Sequence, residues 1–157
     1  MSQSFIGPVW SFICKLLTRF SFGNIDIALV IFKMASFAMY MGSVFLIYHI
    51  TKKKLFILLF ALNPVVLFDG LSNVHNDIFL VFFMLLSIYF VLRNKNLFLA
   101  VIAISIATGI KYLSILLLPF IILYALRKEK LWIRFGKAVL YFLEFIAILA
   151  IFYAIYV

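Results

Sequence analysis

Long apolar runs separated by short basic clusters set the solvent in which this chain folds. The run IDIALVIFKMASFAMYMGSVFLIYHI, residues 25 to 50, contains a single lysine, Lys33, and a single acid, Asp26. As a helix it is about 39 Å long, enough to cross a hydrocarbon core of about 30 Å with tilt. Residues 138 to 157 form a last run of spanning length. Of all residues 68% are hydrophobic and mean hydropathy is +1.27, whereas a soluble domain is about half apolar. The sequence predicts an all-α fold, a polytopic transmembrane helical bundle. About six membrane segments are expected, some short or broken: 25–50, 55–68, 78–92, 97–110, 112–126 and 138–157.

The basic clusters order the crossings. Lys52 to Lys54, Arg93 with Lys95, and Arg127, Lys128 and Lys130 stand between the runs, and the positive-inside rule places all three in the cytoplasm. An even number of crossings must then separate each pair. Residues 55 to 92 become a hairpin with its tip at NVHND, and residues 97 to 126 a second with its tip at Lys111. Both tips point outward, as does the segment 1–24, read as an outer loop or interfacial segment before the multi-span domain 25–157. One long helix over 97–126 is the competing reading, and Gly109 beside Lys111 favours the break. The hairpin legs are only about 21 to 23 Å long, so their tips are expected to floor an outward-facing polar cavity.

The formal net charge of +9 does not point to nucleic acid, because the cations sit in loops between apolar runs and form no aromatic-interleaved face. One cysteine, Cys14, excludes an internal disulfide, and two histidines exclude a multi-histidine metal site. The N-terminus lacks the pattern of a signal peptide and reads like the middle of a loop, so the chain is expected to lack its natural beginning.

The polar residues in GLSNVHNDIF, residues 70 to 79, are then the chemical centre of interest. Asp77 is a carboxylate at the edge of an apolar helix, where it either caps free N–H groups or serves function. Asn76 has the same two readings. His75 is either a loop histidine at the water interface, or a phosphate contact or proton shuttle. A divalent metal held by Asp69, His75 and Asp77 is conceivable, but the spacing does not require one. Lys111 and, second, Lys33 either snorkel to the headgroups or meet an anion such as a lipid phosphate. Asn63-Pro64 breaks a helix and frees a carbonyl. Pro119 gives a kink, and His49 and the Tyr and Trp residues are interface anchors.

NPVVLFDGLSNVHNDIFL followed by ATGIKYLSILLLPFIIL resembles the polyprenyl-phosphate-dependent glycosyltransferases of the GT-C superfamily, in the bacterial mannosyltransferase-like branch. The shared pieces are Asn63-Pro64, Asp69, Asn73, His75, Asn76, Asp77, and Ile110-Lys111-Tyr112 with Pro119; IGPVW at 6 to 10 resembles the outer-loop GP-x-W, and Lys33 matches a lysine common in the following span. The resemblance implies transfer of a hexose such as mannose from a lipid-linked sugar donor, a polyprenyl phosphate, to an acceptor at the outer face of a bacterial-type plasma membrane. No cofactor is implied. Lys111 and Lys33 are the expected donor phosphate contacts, Asp77 and His75 the catalytic-site candidates, and Asn63, Asp69, Asn73, Asn76 and Tyr112 the supporting polar cluster. The sequence departs from the pattern at Val74, where Gly is frequent, and at Asp69, where Glu is usual. The superfamily's acidic outer-loop motif has no counterpart ahead of the first long run, whose second residue, Asp26, is the first acid in the sequence. This makes the chain an expected internal piece whose partner would be the remainder of the enzyme, with Asp77 orienting and not acting as base. Two other classes fit the pattern: a transporter or flippase piece in which Asp77 and His75 relay protons, and a non-catalytic membrane scaffold.

Overall fold

The structure is a computed structural model that describes residues 7–156. Within the segment read as a loop, Pro8 opens helix α1 (Pro8–Arg19), a position where its missing N–H and fixed φ suit the first turn. Asn24 caps α2 (Ile25–Thr51), its Oδ1 accepting from the N–H groups of Asp26 at 2.8 Å and Ile27 at 3.2 Å. Lys52 ends α2 in the left-handed conformation, and α3 (Lys54–Ala61) follows at once.

Asn63-Pro64 breaks the next leg as expected. The Asn63 Oδ1 accepts from the Val65 N–H at 2.9 Å, and the carbonyl of Ala61, which loses that N–H, accepts instead from the Tyr40 hydroxyl at 3.0 Å. The carbonyl freed at the break is therefore not left open. The chain continues through wide π-helical turns, Val66–Ser72, bent by 60° from α3. Then come α4 (Asp77–Tyr89), a second π-helical segment (Phe90–Asn94), α5 (Leu97–Ile110), a 3-10 segment (Tyr112–Leu116), α6 (Leu117–Ala125) and α7 (Leu131–Tyr156).

The expectation of six crossings is corrected. Among the described residues three helices are long and apolar enough to cross a membrane, Ile25–Thr51, Asp77–Asn94 and Leu131–Ile155, or four if the bent pair counts as one span. The 97–126 hairpin is present as two shorter helical pieces. α5 is only about 21 Å long, yet Ala100, Val101, Ile104, Ala107 and Ile110 are fully buried. Its apolarity serves protein packing: it is the axis of the bundle, not a lipid-facing span. α4 seats on it closely enough for the Ser87 hydroxyl to donate to the Ala100 carbonyl at 2.7 Å. α2 meets α4 through Gly42, where a Cβ would stand 2.6 Å from Phe82 Cε2. α7 lies mostly on the outside and sends Phe145 into the core.

The basic clusters gather at one end. The Arg93 guanidinium donates to the Ile50 carbonyl at 2.9 Å, next to Lys52 to Lys54. Lys95, Arg127 and Lys128 line one pocket. The hairpin tips gather at the other end, separated by the 18 residues Asp77–Asn94, about 27 Å of helix against a core of about 30 Å.

Candidate functional site

At that second end, two tips far apart in sequence close on one carboxylate. Lys111 interrupts the helical path in extended conformation (φ −150°, ψ 123°). Its Nζ donates to Asp77 Oδ1 at 2.7 Å, while His75 Nδ1 stands 3.2 Å from Asp77 Oδ2. The break at Lys111 swings the side chain out of the axis of α5, and the start of α4 at Asp77 presents the acid to it. His75, Asp77 and Lys111 are 52%, 46% and 35% exposed, so the trio lies at the surface of this end and is not enclosed.

Exposure decides what the pair is worth. An ion pair at this degree of exposure contributes roughly 0–1 kcal/mol, too little to explain an acid and a base at an apolar boundary. The geometry has chemical consequences instead. His75 Nδ1 lies at ion-pair distance from Asp77 Oδ2, which leaves ring Nε2 to meet a ligand, where as N–H it can donate to a phosphate oxygen. Lys111 spends one of its three donors on Asp77 and keeps two for an anion. Asp77 therefore positions both neighbours. The capping readings fall away: Asn76 is buried yet makes no side-chain cap bond, and Asp77 gives both oxygens to His75 and Lys111.

The remaining predicted residues divide. Asp69 and Asn73 form their own pair, Nδ2 to Oδ1 at 3.2 Å, and the Asp69 carbonyl accepts from the His75 N–H at 2.9 Å, which shapes the loop beneath His75. Asp69 thus turns to Asn73 and not to the His75–Asp77 pair. Among the described residues no three His, Cys, Asp or Glu side chains converge in a way that would hold a metal. Asn63 serves the break after α3, Tyr112 hydrogen-bonds Tyr153 of α7, and Lys33 stands on the exposed face of α2 outside every ion pair of the described residues.

Of the IGPVW stretch, Ile6 lies outside the described residues and Gly7 to Trp10 dock beside the site. The Gly7 N–H donates to the Ile110 carbonyl at 3.0 Å, Val9 is buried, and Trp10 meets Phe79 edge-on at 5.1 Å. Burial in α1 pushes the Cys14 thiol above its ordinary value, so it is no poised nucleophile.

Sequence reasoning passed over Glu144. It lies near the middle of α7, and its Oε1 is buried with no hydrogen-bond partner. The signal was available as the sole acid of an otherwise apolar run.

Comparison with curated proteins yields no match, and comparison with solved structures yields none. Against protein families, the sequence model described as "Alpha-(1->6)-mannopyranosyltransferase, N-terminal domain" matches residues 1–127, a stretch containing His75, Asp77, Lys111 and the GPVW docking segment. The chain thus belongs to the MptA_B family, whose description makes it a mannosyltransferase domain.

Proposed function

We propose that the chain takes a polyprenyl-phosphate mannose donor at the outer face of the membrane, with Lys111 and His75 receiving its phosphate. The observation that carries this reading is the Lys111–Asp77 contact at 2.7 Å, which brings cation, acid and imidazole to one half-exposed point at the end of the bundle away from the basic loops. As the acceptor hydroxyl oxygen bonds to the anomeric carbon, the anomeric C–O bond to phosphate breaks, the departing phosphate takes the electron pair, and the hydroxyl proton passes to a base other than Asp77. Lys111, held at this point, stabilises the charge that develops. Asp77 acts as a positioning residue, with Oδ1 on Lys111 and Oδ2 facing His75. An apolar groove of about 450 Å3 between α6 and α7 begins near the 3-10 segment after Lys111, at Ile115, and supports a place for the lipid tail. The basic end is read as cytoplasmic by the positive-inside rule.

The test is binding and transfer with Lys111→Met and Lys111→Arg in the purified chain. A short-chain polyprenyl monophosphate should bind Lys111→Met about tenfold more weakly, the loss of one charge-assisted contact of about 1.5 kcal/mol, and Lys111→Arg nearly normally. Where transfer is measured, donor KM should rise with the same ranking while helical content stays unchanged. Equal binding by Lys111→Met and the parent protein would remove Lys111 from the donor site.

A further inference from the structure

The opposite end of the bundle carries a second concavity with a different chemistry. A pocket of about 240 Å3 is walled by Lys95, Arg127, Lys128 and Tyr124 over Val91 and Leu92. Its cations arrive from two loops. Lys95, in the left-handed conformation, closes the π-helical segment after α4, while Arg127 and Lys128 follow α6. None of the three belongs to an ion pair among the described residues; the adjacent acid, Glu129, is held by Lys137 at 2.5 Å. The Arg127 guanidinium lies over the Tyr124 ring, 4.2 Å from its centroid, which restricts its orientation.

The pocket does not end in solvent. Val91, Leu92 and Tyr124 also wall an apolar groove of about 200 Å3 between α4 and α6. From Tyr124 to Leu117 the groove follows α6 for about 10 Å toward the middle of the bundle. Its walls Leu92 and Phe120 are 38% and 69% exposed, so it opens sideways on the lipid-facing surface. Uncompensated cations above a lateral apolar groove match an amphiphile with a negative head. A free phosphate would use the pocket and leave the groove empty. A zwitterionic lipid would bring a positive group against the cations.

We propose that this pocket and groove form a binding site for an anionic phospholipid, its headgroup phosphate between Lys95, Arg127 and Lys128 and one acyl chain along α4 and α6. Basic pockets between spans at the positively charged membrane face suit such headgroups. The site is separate from the His75–Asp77–Lys111 trio and does not depend on the donor reading.

Native mass spectrometry of the full chain in neutral detergent tests this, with short-chain phosphatidylglycerol, phosphatidylcholine of the same chains, and inorganic phosphate as probes. Saturable binding of one phosphatidylglycerol is expected, tighter than either competitor. Each cation near an anionic surface is worth about fivefold in affinity, so Lys95→Gln with Arg127→Gln and Lys128→Gln should weaken binding about a hundredfold. Should that triple variant lose its helical content, Lys95→Gln alone should weaken binding about fivefold. Ile88→Trp fills the groove, whose wall it forms without reaching the basic pocket, and should also weaken phosphatidylglycerol binding, but not phosphate binding. Equal affinity for phosphatidylcholine overturns the proposal, as does unaltered binding by the charge variants. Loss with the charge variants but not with Ile88→Trp would leave a phosphate site without a lipid site, and that also overturns it.

Discussion

Val74 holds a left-handed backbone, φ +54°, between Asn73 and His75. A β-branched side chain there crowds the following carbonyl, at roughly 1–2 kcal/mol of strain. The strain persists because the turn is tied on both sides: the Asn73 N–H donates to the Phe68 carbonyl and the His75 N–H to the Asp69 carbonyl, each at 2.9 Å. Val74→Gly should relieve it. The expected result is a thermal stability gain of about 1 kcal/mol, reduced by the extra entropy glycine brings to the unfolded chain. Melting in detergent measures it, and a clear drop would mean that the valine side chain contributes packing beyond its strain. At this scale the sequence was legible for kinds of residue but not for their partners. Asp77, His75 and Lys111 stood out because charged groups at an apolar boundary are rare. That Asp77 would hold the other two, and that Asp69 would turn to Asn73, depended on two tips meeting across 34 positions, which no local pattern encodes. Glu144 was legible and overlooked, its run having been read by length alone.

The N-terminal helix is pinned to the site by one backbone contact. Gly7 approaches the Gly109 carbonyl so closely that a Cβ on Gly7 would overlap it, and the obstacle is backbone that cannot rotate away. Gly7→Ala should therefore lift α1 off α5, weaken the Gly7–Ile110 hydrogen bond and separate Trp10 from Phe79. A loss of roughly 1–3 kcal/mol follows from such overpacking. Faster proteolysis within α1 should accompany it, while unchanged cleavage would show that α1 is anchored elsewhere. Elements were partly legible. The breaks at Asn63-Pro64 and Lys111 were expected from local chemistry, and the structure places them there; the caps Asn24 and Asn96 carried an equally local signal that was not read. Span counting failed for a physical reason: hydropathy does not distinguish a helix facing lipid from one buried in protein. α5 is as apolar as a span, yet its 14 residues are too few for one and other helices cover it.

Over the whole molecule, parity of the basic clusters anticipated the arrangement, since both hairpin tips meet at one end and the basic loops meet at the other. The positive-inside rule adds a direction to that geometry, and the direction can be tested without any activity. In a Cys14→Ser background, Ser72→Cys places a thiol beside the turn that carries His75 and Lys130→Cys places one in the loop between α6 and α7; both positions are exposed. A membrane-impermeant maleimide added to intact cells should label Ser72→Cys and reach Lys130→Cys only after permeabilisation. The reverse pattern would invert the molecule. It would move the His75–Asp77–Lys111 trio to the cytoplasmic face and remove the physical basis for a donor presented from the outer leaflet. Labelling of both thiols from outside would contradict the bundle itself, because α4 and its π-helical extension would no longer separate its two ends. Only the first pattern lets the two ends divide their chemistry, with sugar donor phosphate at the trio and anionic lipid at the basic pocket across about 27 Å of helix.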